Sequence, residues 1–124
     1  MENAASGSRA LHPESLAEVW RNILAERMWL GTTIVTAPVV HSTLWQPMTF
    51  TENSDLLLAS SASIFFRCRL ESITGVWAVP LSQELDSPFA LEIYDARDDL
   101  LFALAAPPEW KNIWNELLHW LPAV

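Results

Sequence analysis

Two arginines, Arg67 and Arg69, stand two residues apart in the run Phe65-Phe66-Arg67-Cys68-Arg69. In a strand, that spacing puts both guanidinium groups on one face beside Phe65, with Ile64, Phe66 and Cys68 on the other. Each guanidinium fork matches one carboxylate, so the pair can hold two carboxylates beside an aromatic ring. The plainer reading is a solvated face that answers Glu71 and Asp55. Cys68, on the inward side, reads as a small core residue rather than a nucleophile.

His41 is the second candidate. It follows Val39-Val40 in a strand-like segment, with Trp45 and Met48 close behind. An imidazole beside aromatic and thioether groups is what an apolar pocket offers to iron. A partly exposed strand histidine without a ligand is the plain alternative. The other histidines carry less: His12 lies in the N-terminal stretch, and His119 falls in a last helical turn, where the dipole favours a cation. The acids of Asp95-Ala96-Arg97-Asp98-Asp99 lack calcium-loop spacing and read as a polar hairpin turn. No HExxH, paired-cysteine site, glycine-rich phosphate loop or GxSxG elbow is present.

The elements that must position these residues are legible from periodicity. Leu16, Val19, Trp20, Ile23 and Leu24 mark one helical face, preceded by Pro13 and a Ser15–Glu18 pair with capping-box spacing. This helix is expected to end at Gly31. Residues 32–50 are rich in β-branched side chains and predict one or two strands, broken near Pro38 and Pro47. Residues 56–70 predict a hairpin bent at Ser60-Ser61, and a short strand runs through Trp77. Phe89, Leu91 and Ile93 alternate with Ala90, Glu92 and Tyr94, and Leu100, Phe102 and Leu104 complete a second hairpin. After Pro107-Pro108, the stripe Trp110, Ile113, Trp114, Leu117, Leu118 and Leu121 predicts a helix laid on a sheet. The expected fold is α+β, an antiparallel sheet of about six or seven strands flanked by an N-terminal and a C-terminal helix. Residues 1–12 are expected to be a flexible tail and 13–124 one domain.

Composition narrows the function classes. The chain has 124 residues, seven of them tryptophan, and half of them are apolar, so a substantial core is expected. Net charge is −8, with only six arginines and one lysine, a field that repels a phosphate backbone and argues against nucleic acid as a partner. No apolar run is long enough to span a membrane, and the start lacks the pattern of a secretory signal. The single cysteine excludes an internal disulfide, which makes the cytoplasm the expected compartment.

The stretches ITGVWAVP, SPFALEIYDARDDLLFAL and PPEWKNIWNELLHWLP, in that order, resemble the later part of the haem-utilisation proteins of the HemS/ChuX/HutX type. The matching residues are Ile73, Val76, Trp77, Val79, Leu91, Glu92, Asp95, Glu109, Trp114, Leu117 and Leu121. The stretch VWRNILAERMWLGTTIV is similar to that family's first helix and strand, and Val40-His41 falls near a Val-His or Ile-His pair. The resemblance spans about residues 19–122, one structural half of the two-half members. It departs at FFRCR, which stands where the family has Asn-Leu-His-Leu-Arg, so that Arg67 takes the histidine position and Arg69 the arginine position. The segment that supplies an axial histidine in two-half members has no counterpart.

The resemblance implies a cytoplasmic, iron-related protein that binds haem or a related tetrapyrrole, and some members pass haem on while others degrade it. Carried over, it makes His41 the axial ligand, pairs Arg67 and Arg69 with the propionates, and lines the ring with Trp45 and Met48. A single half implies a homodimer that mimics the two-half arrangement. The leading expectation is a haem-trafficking protein without catalytic activity of its own. The rival is a small acidic protein-interaction module, like a secretion chaperone or an immunity-type inhibitor, with no cofactor.

Overall fold

The computed structural model describes residues 7–36, 38–53 and 55–124. In chain order the elements are β1 (Arg9–Leu11), α1 (Ser15–Ala25), β2 (Leu30–Thr36), β3 (Val39–Trp45), β4 (Thr49–Glu52), β5 (Leu56–Ser60), β6 (Phe65–Arg69), β7 (Gly75–Pro80), β8 (Phe89–Tyr94), β9 (Leu100–Ala105) and α2 (Lys111–Trp120). The strands form two antiparallel sheets, a six-stranded one in the order β1-β7-β8-β9-β2-β3 and a three-stranded one in the order β4-β5-β6. The α+β class with flanking helices is as expected. The count is higher, nine strands in two sheets among the described residues, because the break at Gln46-Pro47-Met48 separates two sheets.

Part of the expected tail is also structure. Residues 1–6 lie outside the described residues, but Arg9–Leu11 pairs with β7, and Leu11 is fully buried. The Arg9 guanidinium donates to the carbonyls of Leu118 (2.9 Å), His119 (3.1 Å) and Leu121 (3.0 Å), at the C-terminal end of α2. A cation there satisfies carbonyls that the helix leaves unpaired and complements its dipole.

The expected helix signals at 15–31 are met by other means. Ser15 is the first helical residue rather than the cap, and no side chain caps this end. Glu18 is instead engaged by Arg21 and Asn22. The helix ends at Ala25, through Arg27 in the left-handed region (φ 54°), not at Gly31. The amide of Met28 donates to Ile23 O (3.0 Å) and that of Arg27 to Leu24 O (3.1 Å), the paired bonds of a Schellman motif, and Met28 and Ile23 are both buried. Gly31 sits inside β2, where a Cβ would come 3.2 Å from Ala105 O. An L side chain in the left-handed region is strained. Arg27→Gly is therefore expected to stabilise the protein by about 0.5–1 kcal/mol, read as a higher urea midpoint at unchanged m-value. An unchanged or lower midpoint would count against this description of the helix end.

The core lies between the sheets. The register aligns Leu11, Val76, Ile93, Phe102, Ile34 and His41 in one row across the large sheet, all on one face. Over that face lies the inner side of the small sheet, with Phe66 packed edge-on against Phe102 at 4.9 Å. From α1, Trp20 reaches both layers: its ring lies 6.3 Å from Phe50 (stacked), 5.4 Å from Phe66 and 6.2 Å from Trp45. Helix α2 packs Trp114 and Leu118 into the core. Its Trp114 Nε1 donates to Phe89 O (2.9 Å), and Asn115 accepts from Phe89 N (3.1 Å), so the helix is tied to the start of β8.

Candidate functional site

His41 lies near the outer end of β3, the edge strand of the large sheet, directly opposite Ile34 of β2. Alternation along β3 puts His41, Thr43 and Trp45 on the core-side face. Burial follows position along the strand. Trp45 is only 3% exposed, whereas every residue from Val39 to Leu44 is exposed. The β2–β3 hairpin thus extends beyond the part of the sheet that the core covers. On the same face, the exposed Ile34 and Val39 lie beside His41, whereas the exposed Val40 and Leu44 point to the opposite face.

Trp45 and Met48 do not line a surface together. The Trp45 indole donates to Thr32 Oγ1 (3.2 Å) inside the core. Buried there, Trp45 anchors the base of β3. Met48 lies after the strand, is largely exposed, and borders a separate cavity with Leu24, Arg27, Gln46 and Pro47.

The strand parity assigned to β6 is observed. Phe66 is buried, Ile64 and Cys68 are half-buried, and Phe65, Arg67 and Arg69 are exposed on the outer side of the small sheet. Burial pushes the Cys68 thiol above its ordinary range, which fits a packed residue and not an activated nucleophile. Arg69 makes a loose, exposed contact with Glu71 (3.9 Å), the solvated-face pairing, and such a pair contributes little. With Asp55, Leu56 and Glu71, Arg69 lines a cavity of about 260 Å³.

The structure does not gather these side chains into one cavity. His41 belongs to the core-side face of the large sheet, and the two arginines to the outward face of the small one. None of the cavities described is lined by His41 or Arg67. The acids at 95–99 have local work: Asp95 Oδ1 accepts from the amides of Arg97 (2.9 Å) and Asp99 (3.0 Å), and Asp98 is left-handed (φ 62°), which closes the β8–β9 turn. On the opposite face of the large sheet, the Tyr94 hydroxyl donates to Glu92 (2.8 Å). Desolvation first, then that hydrogen bond and the charges of Glu92 and Asp98, push the phenol above its usual range.

The largest of the cavities described lies elsewhere, between α1 and α2, about 590 Å³ lined by Glu18, Glu26, Glu116, Ile113, Leu117 and Trp120 among others. The signal for it was present in the sequence, since Ile113, Leu117 and Trp120 recur at helical spacing. Trp120 is not in the stripe expected to lie on the sheet, and spacing alone does not fix the phase of a helix, so it does not say that Ile113 faces outward.

No family description and no curated protein sequence matches this chain. Solved structures do. The chain is similar to apo-PhuS, a haem-binding protein from Pseudomonas aeruginosa, with a TM-score of 0.85 at 13% identity, covering 98% of this chain and 36% of that one. It is similar to ChuS, an E. coli haem oxygenase, with a TM-score of 0.80 at 13% identity, covering 92% and 36%. It is also similar to the haem-binding protein ChuX, with a TM-score of 0.72 at 11% identity, covering 91% and 76%. The chain thus spans about a third of the length of PhuS and ChuS. Its fold is that of the haem-utilisation proteins PhuS, ChuS and ChuX.

Proposed function

We propose that this chain binds haem or a related tetrapyrrole and carries it without catalysing its breakdown. The observation that supports this reading most is the match of nearly the whole chain to haem-binding PhuS. His41 is the proposed axial ligand. It is an exposed imidazole on an exposed strand end, with Ile34 and Val39 on the same face to meet an apolar macrocycle. Arg67 and Arg69 are the proposed propionate partners, and Met48 a peripheral contact.

These residues belong to different faces, so the proposed site is completed by a second copy of the chain. One copy supplies His41 and the other the two arginines.

Haemin titration with parallel sedimentation tests the reading. The expected result is a saturable Soret shift in a dimer, with affinity lowered about tenfold in Arg67→Ala/Arg69→Ala through loss of charge-assisted contacts. Haemin absorbance that never saturates would overturn it. The second reading, an acidic protein-interaction module, is favoured by the acid-rimmed groove between the helices and predicts a colourless protein.

A further inference from the structure

Helix α2 carries more apolar surface than the core uses. Trp114 and Leu118, with Leu121 just beyond, face inward and are buried. Beside them Ile113 (40% exposed), the half-buried Leu117 and Trp120 (76% exposed) form a second stripe at steps of four and three residues. That stripe forms one wall of the groove of about 590 Å³, over a floor that includes the buried Met28. The facing wall is α1, where Glu18, Asn22 and Glu26 recur at four-residue steps.

The charge is one-sided. Glu18, Glu26 and Glu116 line the groove, and no lysine or arginine does. Glu18 has an exposed contact with Arg21 (3.4 Å), whereas Glu26 and Glu116 make no ion pair among the described residues. A groove with an apolar wall, an exposed tryptophan and unpaired carboxylates has the chemistry of a helix-in-groove receptor. Its complement is cationic and amphipathic.

We propose that the groove between α1 and α2 docks a basic amphipathic segment of a partner protein, its apolar side on Ile113, Leu117 and Trp120 and its lysines or arginines on Glu26 and Glu116. This inference stands independently of haem binding. An exposed aromatic at the wall is the residue type that dominates such interfaces, and the surrounding charges set the choice of partner and the association rate.

The probe is a short fluorescein-labelled amphipathic helix of leucine and lysine, followed by anisotropy against the full chain, with a leucine–glutamate helix as control. Saturable binding of the cationic probe alone is expected. Trp120→Ala should weaken it about 30-fold, and Glu26→Lys/Glu116→Lys about tenfold. A lysine at position 26 suits the C-terminal end of α1, so that variant keeps the fold, as circular dichroism will show. Glu84→Lys/Glu109→Lys changes the net charge equally at exposed positions outside the groove and should leave affinity within about twofold. Equal loss in both charge variants would reduce the binding to general acidity and overturn the proposal. So would equal binding of the leucine–glutamate helix, or a Trp120→Ala variant that binds normally. A Trp120→Ala change that converts a dimer to a monomer, with no probe binding by wild type, would make the groove a self-interface instead. Haemin titration of the same variants should match wild type, so failure of this proposal and failure of the haem reading are read separately.

Discussion

Truncation of Trp20 to alanine is expected to remove about 3–5 kcal/mol of folding free energy, a large share of the roughly 5–15 kcal/mol that holds a domain of this size together. The ring is fully buried and reaches from α1 to Trp45 of the large sheet and to both Phe50 and Phe66 of the small one. Its removal leaves a cavity at the junction of three layers, where collapse would have to move two sheets and a helix at once. Trp20→Phe should behave differently. The indole Nε1 is buried without a hydrogen-bond partner among the described residues, so phenylalanine deletes an unsatisfied donor while keeping an aromatic ring. Its cost is expected to be about 1 kcal/mol. Urea unfolding followed by far-ultraviolet circular dichroism measures both. An alanine variant as stable as the phenylalanine variant would show that Trp20 does not join the layers.

The second large effect is expected at Arg9, on a segment that composition alone assigns to a tail. Its guanidinium holds three carbonyls at the end of α2, and the neighbouring Ala10 carbonyl accepts from the amide of Val124 (2.8 Å). Replacement by methionine keeps a stem that can pack but leaves partly buried carbonyls without donors. The expected cost is about 2–3 kcal/mol, with lowered hydrogen-exchange protection in the last turn of α2. Arg9→Lys should recover only part of it, because an ammonium on a flexible stem does not reproduce a planar fork that reaches three acceptors. An Arg9→Met protein with wild-type stability and protection would contradict the clamp.

The contrast between Arg9 and the hairpins shows what a sequence can disclose. Strand alternation is local, so Leu91 with Ile93, and Phe66 with Cys68 alternating with Arg67 and Arg69, reveal both the strands and their inward faces. Strand β1 has three residues and is specified by β7, far along the chain, and no local period marks it. The division into two sheets is also non-local, since Pro47 signals a break but not that the chain leaves one sheet for another. At the helix ends a spacing rule met stronger competitors: Arg21 and Asn22 hold Glu18, and a buried Met28–Ile23 pair closes α1 before Gly31. The candidate site divides the same way. The outward direction of Arg67 and Arg69 was readable from parity, but the burial of Trp45, four residues from an exposed His41, depends on where the core stops covering β3.

The central claim is that haem binds this chain through His41, and the visible spectrum of the protein titrated with haemin tests it most directly, wild type beside His41→Ala. The expected result is a saturable, shifted Soret band in wild type that is lost in His41→Ala, with both proteins folded by circular dichroism. A wild-type spectrum that remains that of free haemin, or a shift that persists unchanged in His41→Ala, would contradict it.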